Sequence, residues 1–309
     1  MRFGSTRIPA RPIERVLMFV NPGARRGRHL LESARAEFER MQIRCDTVVT
    51  RAAGHAAEVA PERAMDYDAI FALGGDGTAI EVIDALSPDS PPVGVLPGGT
   101  GNLLARALGI PLGVRRAVRA LVTGDEVRVD LGRLGNGRRF VIGAGVGIDA
   151  SMIANTTAEW KSRAGVLAYV ATGTAHVLRR ERFGVTVTVD GESVTRRASV
   201  VLVANLGVLL NGLIALGPGI TADDGLLDVC IFDPLTVADA ARITAKLIFR
   251  EFTAHSSMTY LRGRHVSVET DAPRPMQADG ELIGPTPFVA SADPLAARLL
   301  VPHCQINRQ

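Results

Sequence analysis

The sequence predicts an α/β domain followed by a β-rich, mostly antiparallel domain. The first 125 residues alternate short β-branched runs with amphipathic stretches, which implies a parallel sheet covered by helices. From about Val127 the texture changes to closely spaced strands with turns between them. A chain of 309 residues suits two domains better than one or three. The boundaries read as 1–130 for the first domain, with 294–309 returning to it, and 131–293 for the second.

Taken in order, Arg15–Val20 reads as a buried strand and His29–Met41 as an amphipathic helix. Arg44–Thr50 is a second strand and Gly54–Met65 a second helix. Ala69–Leu73 and Val93–Leu96 are further strands, each followed by a helical stretch, Thr78–Leu86 and Asn102–Leu108. In the second half, Val127–Leu134, Arg139–Gly143, Gly184–Asp190, Ser199–Ala204, Leu227–Phe232 and His265–Thr270 read as strands. Helical stretches at Ala164–Arg180 and Val237–Phe252 interrupt them.

Hydrophobic residues make up 47%, charged residues 22% and aromatics 5%, the proportions of a globular protein with an aliphatic core. A net charge of +3 is a mild basic bias, and nucleic-acid binders usually show a denser basic stripe, so a nucleic-acid partner is not expected. Cys45, Cys230 and Cys304 form no zinc spacing and read as free thiols. No apolar segment precedes Val16, so no signal peptide is expected. Val200–Leu216, the most apolar stretch, is short for a bilayer span and contains two Asn, so it reads as a strand and loop.

Three glycine-rich turns follow three of the strands in the first half, and each opens a helix. They are Asn21-Pro22-Gly23-Ala24-Arg25-Arg26-Gly27, Gly74-Gly75-Asp76-Gly77-Thr78, and Pro97-Gly98-Gly99-Thr100-Gly101-Asn102. Glycine lets the backbone approach a phosphate, and a helix start supplies free N–H donors. Turn punctuation alone would explain Gly98 and Gly99 but not Asp76. A carboxylate among phosphates is repulsive unless a cation such as Mg²⁺ bridges them. No Walker A pattern is present. Gly143-Ala144-Gly145-Val146-Gly147 resembles a broken dinucleotide fingerprint, but its place in the β-rich half favours a bulge or close backbone packing.

The segments FVNPGARRG, GGDGT and LPGGTGNLLARALGIP, in this order, resemble the diacylglycerol kinase catalytic domain family, which includes bacterial soluble lipid kinases and is similar to sphingosine and ceramide kinases. The likeness continues with VDLGRL (Val129–Leu134), GAGVGIDA (Gly143–Ala150), ADDGLLDVCIF (Ala222–Phe232) and QADGE (Gln277–Glu281). GGDGT alone is shared with NAD kinases and phosphofructokinases, so the first domain is expected to be of that nucleotide-binding type; the ordered set is more specific.

The resemblance implies an ATP- and Mg²⁺-dependent transfer of the γ-phosphate to a lipid hydroxyl, with nucleotide between the two domains. ATP contacts would come from Asn21, Pro22, Gly23, Ala24 and Arg25, from Thr50, from Gly75, Asp76, Gly77, Thr78 and Glu81, and from Thr100, with Asn102 ordering the third turn. Many relatives carry Asp after that Asn, where this chain has Leu103. Glu281 would accept the hydroxyl proton, with Asp279 sharing or supporting that role; Asp-Gly is equally a common hairpin turn. A structural Mg²⁺ would take the Asp224 carboxylate and the carbonyls of Thr221 and Leu226. Asp130 would extend the magnesium network or cap the domain boundary.

The expected partner is a lipid, diacylglycerol-like first and a sphingoid base second, met transiently at a membrane surface by a cytoplasmic chain without a transmembrane segment. Arg179–Arg182 are candidates for anionic headgroups; the other arginine clusters, among them Arg115-Arg116-Arg119, read as mostly solvated faces. Monomer and homodimer remain open. Two alternatives stand beside this reading: an NAD kinase, and a non-catalytic lipid-binding or regulatory protein on the same fold. PGGTGNLLAR and DDGLLDV speak against the first, the intact GGDGT and DGE against the second.

Overall fold

A computed structural model describes residues 7–21, 27–147, 182–209, 214–253 and 255–303. The helix predicted at Ala164–Arg180 lies outside them, as do Pro22–Arg25 and Ile148–Ala150. The described residues fall into two compact units, one drawn from Met1–Asp130 and Pro294–Gln309, the other from Leu131–Leu209 and Leu213–Asp293.

The first unit opens with β1 (Ile8–Pro9) and β2 (Arg15–Val20), followed by α1 (Gly27–Arg40), β3 (Arg44–Val49), α2 (His55–Arg63) and β4 (Ala69–Gly74). Next come α3 (Asp76–Ala85), β5 (Val93–Pro97), α4 (Leu103–Ala107), α5 (Val114–Val122) and β6 (Asp125–Leu134). β5, β4, β2 and β3 lie side by side in parallel. Val16 to Phe19 are each 0% exposed, because a central parallel strand is covered on both faces and shows no alternation. The step from β2 to β3 runs one way across the sheet and the step from β3 to β4 runs back. Right-handed crossovers therefore put α1 and α2 on opposite faces, and α1 packs with α5 while α2 packs with α3. The carboxyl ends of β2 and β4 flank the reversal point, the usual place for a ligand in an open α/β sheet.

Helix α5 was not legible as an element, because its Arg-rich face resembles a solvated cluster. Its apolar face (Val114, Ala117, Val118, Leu121) is buried. Arg119, read as part of that cluster, instead bonds Glu37 of α1 through Nε at 2.5 Å and Nη2 at 3.2 Å. This pairing holds the Glu37 carboxyl below the usual carboxylate range.

The second unit is antiparallel. After β7 (Arg139–Phe140) and β8 (Gly143–Val146) come β9 (Phe183–Val189), β10 (Glu192–Ala198), β11 (Val200–Ala204), β12 (Val208–Leu209), β13 (Ile214–Ala215) and β14 (Leu227–Phe232). Helix α6 (Val237–Phe249) precedes β15 (Met258–Gly263), β16 (His265–Thr270), β17 (Pro275–Ala278), β18 (Glu281–Pro285) and β19 (Phe288–Val301). One layer has the order β15-β14-β11-β8-β17-β18; the other is built on β10, β9, β16 and the first half of β19. Val201, Val203, Val229 and Ile231 face Val185, Val187 and Val268 in the shared core. Their neighbours Leu202, Ala204, Cys230 and Phe232 point the other way and pack under Ile243 of α6. The end of β19 joins the first unit, with Leu299 beside Val93 of β5.

The glycines of β8 serve close strand packing, as their sequence context favoured: a Cβ at Gly145 would collide with the Val201 carbonyl of β11. Helix α6 stops at Phe249, short of the expected Phe252, because Arg250 turns left-handed (φ 58°). Strands β1, β10, β12, β13, β15, β17, β18 and β19 were not foreseen. β10 is mostly exposed and carries no apolar alternation, so only its hairpin with β9 makes it a strand.

Candidate active site

In the first unit the second and third glycine turns lock onto each other. β4 and β5 end in register, Gly74 beside Pro97. The Gly98 N–H donates to the Gly74 carbonyl at 2.7 Å. A Cβ at Gly98 would stand 3.2 Å from Gly74 Cα, and one at Gly99 only 2.6 Å from Gly75 Cα. Only glycine permits two backbones this close. Asn102, left-handed at φ 47°, accepts the Gly99 N–H (2.9 Å) and donates to the Gly99 carbonyl (2.8 Å). Asp76 opens α3 and accepts the Leu104 N–H at 2.9 Å, so one carboxylate oxygen ties the second turn to the chain after the third.

The flanking residues are held as firmly. Asn21, just after β2, donates to the Thr78 hydroxyl at 3.4 Å. Thr50, just after β3, is buried and donates both N–H and hydroxyl to the Val20 carbonyl, at 2.8 and 3.2 Å. Glu81, expected at the nucleotide, has its Oε1 accepting the Ala56 and Ala57 N–H groups at 2.7 and 3.2 Å. Its carboxylate anchors the first turn of α2. Gly77 and Thr100 are exposed.

In the second unit Asp279 and Gly280 both have positive φ (51° and 88°) and form the turn between β17 and β18. The Asp279 carboxylate accepts the N–H groups of Val141, Ile142 and Gly143 at 2.7, 2.8 and 3.0 Å. Desolvation outweighs those bonds and pushes its carboxyl up to about 6. Glu281, two residues on, is exposed and meets Arg138 Nη2 at 2.6 Å. Asn205, 0% exposed, donates to the Val141 carbonyl at 2.8 Å, and its own N–H reaches the Ile142 carbonyl at 3.0 Å. The Val141–Gly143 backbone is thus held by Asn205 from one side and Asp279 from the other. Asn205 and Arg138 were missed in the sequence. An Asn closing the all-apolar run Val200–Ala204 was the available signal for the first; nothing local marks the second.

The loop expected to hold a structural cation is closed by its own donors. Asp224 accepts the Thr221 hydroxyl at 2.9 Å and the Leu226 N–H at 3.1 Å. Arg262 of β15 lies 3.8 Å from Asp224, pairs with Asp228 at 2.7 Å, and donates to the Gly219 carbonyl at 2.9 Å. Arg262 thus brings a guanidinium to the edge of that loop. Asp228 keeps its Oδ2 buried without a hydrogen-bond partner, and burial pushes its carboxyl up. Asp130, 0% exposed, accepts the Leu295 N–H at 2.7 Å.

Among the described residues no group of three or more His, Cys, Asp or Glu side chains is placed to hold a metal. Mg²⁺ does not need one, since it commonly takes one or two carboxylates together with phosphate oxygens and water. Asp76 fits that pattern: its Oδ1 caps α4, while its Oδ2 lies over Gly101, where a Cβ would stand 3.2 Å away. At Asp224 an ion would have to compete with Arg262.

The diacylglycerol kinase catalytic domain model matches residues 15–134, and the YegS C-terminal NAD kinase β-sandwich-like domain model matches 141–301. A diacylglycerol kinase of Bacillus subtilis is 29% identical over 89% of this chain and 92% of its own, and one of Staphylococcus carnosus 27% over 89% and 90%. An uncharacterised Synechocystis protein is 31% identical over 75% of this chain; the match spans about half (54%) of its own length. Two solved structures named for diacylglycerol kinase of Bacillus anthracis superpose with TM-scores of 0.77 and 0.73, over 94% of this chain and 98% of theirs. At 24% and 22% identity that likeness is one of fold. The chain belongs to the diacylglycerol kinase catalytic domain family, carries the β-sandwich that follows it in relatives, and is a phosphotransferase of the lipid-kinase type.

Proposed function

We propose that the protein transfers the γ-phosphate of ATP, with Mg²⁺, to the hydroxyl of a diacylglycerol-like lipid. The observation that carries this reading is the interlock of Gly74–Thr78 with Pro97–Asn102 around Asp76. It presents close-approaching backbone and the N-terminus of α3 at the carboxyl ends of adjacent parallel strands, which suits a polyphosphate.

In this reading the turn glycines and the first N–H groups of α3 receive the phosphates, and Thr78 and Asn21 line their edge. Pro22–Arg25 and Thr100 add contacts. Bound Mg²⁺ would offset the charge of the transferring group, with Asp76 as its protein ligand. Glu81 and Thr50 act through the backbone they hold. Glu281 accepts the proton of the lipid hydroxyl, because it is exposed and, among the described residues, its carboxylate meets Arg138. Asp279, committed to three N–H groups, fixes the turn that carries Glu281. No step is assigned to an ion at Asp224.

Among the described residues no helix is long and apolar enough to cross a membrane. The reading therefore takes the enzyme as peripheral, working from the cytoplasmic side on a substrate that resides in the bilayer. The test is transfer from γ-labelled ATP to a panel of lipids in mixed micelles, with label counted in the organic phase. NAD is run in parallel, since the second domain's model is named for the NAD kinase β-sandwich. Label in a phosphatidate-like product supports the proposal. Label in NADP alone would replace it with a nucleotide kinase, and nucleotide binding without transfer would point to a regulatory protein.

A further inference from the structure

A lipid kinase must meet its substrate at an interface, and helix α6 carries an exposed face that no described residue covers. Its inner side is accounted for by Ala240 and Ile243, both buried, with Leu247 packed on the cluster beneath. Nine large hydrophobic side chains are exposed among the described residues, and three of them, Leu235 (59%), Val237 (42%) and Phe249 (73%), lie in this one fifteen-residue segment. Such clustering differs from the single exposed apolar residues that any surface carries. At about 100° per residue, Val237, Ala241, Ala245, Ala238 and Phe249 spread across roughly 120° of the outer helix surface. Every one of them is exposed. Arg242 and Lys246 follow immediately along the edge of that arc. Helix α6 is therefore apolar on two sides, one spent on the sheet and the other facing outward, with a margin where Arg242 also meets Asp239 at 3.4 Å and Lys246 donates to the Thr253 hydroxyl at 2.6 Å.

We infer that this outer face of α6 is the surface by which the protein rests on an anionic phospholipid bilayer, with Leu235 and Phe249 entering the acyl boundary and Arg242 and Lys246 meeting phosphate headgroups. The inference rests on the lipid-kinase reading. The charge argues for a bilayer over a protein partner: Phe and Leu beside Arg and Lys are the composition of interfacial helices, and the product of the proposed reaction is itself an anionic lipid. One of the two apolar anchors lies at each end of the helix, so the helix would lie in the plane of the surface.

The experiment uses the full chain and vesicles of phosphatidylcholine with and without phosphatidylglycerol, measured by flotation. Wild type should float with the anionic vesicles. The double variant Leu235→Glu, Phe249→Glu should lose roughly tenfold or more of that binding, while keeping its far-ultraviolet circular dichroism and its melting temperature. Arg242→Glu with Lys246→Glu should abolish the preference for phosphatidylglycerol. A second readout is transfer to dioctanoylglycerol below its micelle concentration, which both variants should perform at the wild-type rate while failing on vesicles. Unaltered flotation of the Leu235, Phe249 variant overturns the surface. So does a variant that changes only the oligomeric state, which would make a second copy the occupant. A wild type that floats through α6 yet phosphorylates no lipid overturns the functional reading and leaves the surface standing.

Discussion

The two carboxylate-bearing turns are built on opposite principles. The first unit's turn around Asp76 is made of backbone: Gly99 sits on Gly75 and Gly98 bonds Gly74, with Asn102 closing the loop three residues away. The second unit's turn around Asp279 is made of long-range side-chain bonds. Its carboxylate reaches N–H groups 136 to 138 residues earlier, and Asn205 completes the hold. The first design gains rigidity from the absence of side chains and tolerates no added atom. The second gains it by desolvating a charge and is sensitive to pH.

The sharpest break of this contrast is chemical. Glu281→Ala removes a carboxylate that no described backbone group depends on, so transfer should fall by about 10²–10⁴ with the melting temperature unchanged. Near-normal turnover would remove Glu281 from the role of base. Gly99→Ala attacks the other turn: a Cβ 2.6 Å from Gly75 Cα must push the two turns apart. Misplacing the phosphates by that kind of displacement should cost about 10²-fold in transfer. ATP affinity measured by calorimetry should fall alongside it, whereas it should hold in Glu281→Ala.

Smaller effects sharpen the comparison. Glu81→Ala strips two N–H groups at the start of α2 of their acceptor and should cost ~1 kcal/mol of stability in chemical denaturation. Asp279 is raised in the folded chain from 3.8 to about 6. The folded state thus holds that proton more tightly than the unfolded one. Its contribution to stability is full at pH below 3.8 and is lost as pH rises through about 6. The difference in melting temperature between wild type and Asp279→Asn should drift across that window and be flat above it. The smallest effect is expected from chelation: with Arg262 bonded to Asp228 and the Gly219 carbonyl, EDTA should leave the melting of the nucleotide-free protein, as purified from magnesium-containing buffer, unmoved. A clear drop would restore a structural ion to the Asp224 loop.

How far each turn could be read in the sequence follows from the same contrast. The glycine turns were legible as strand, turn and helix in succession, because each is local. That the second and third turns touch was not, since Gly75 and Gly99 are brought together only by the pairing of β4 with β5. Glu81 shows the limit from another side. It lies in the motif, but its carboxylate is spent on α2, whose position no spacing within GGDGT encodes. Asn205 and Arg138 are further cases, as their partners are distant in the chain. Helix α6 was read in the sequence, yet a pattern apolar on two sides does not say which side the sheet takes.

The sequence by itself determined the two-part α/β and antiparallel plan, the family, and the order of the glycine-rich turns, because periodicity and glycine chemistry act over a few residues. Only the tertiary structure decided which carboxylates remain available. Asp279, Glu81, Asp224 and Asp130 each give at least one oxygen to a hydrogen bond inside the fold, whereas Glu281, exposed itself, meets the half-buried Arg138 among the described residues. A buried donor must find an acceptor wherever the chain places one, and that pairing is a property of three dimensions.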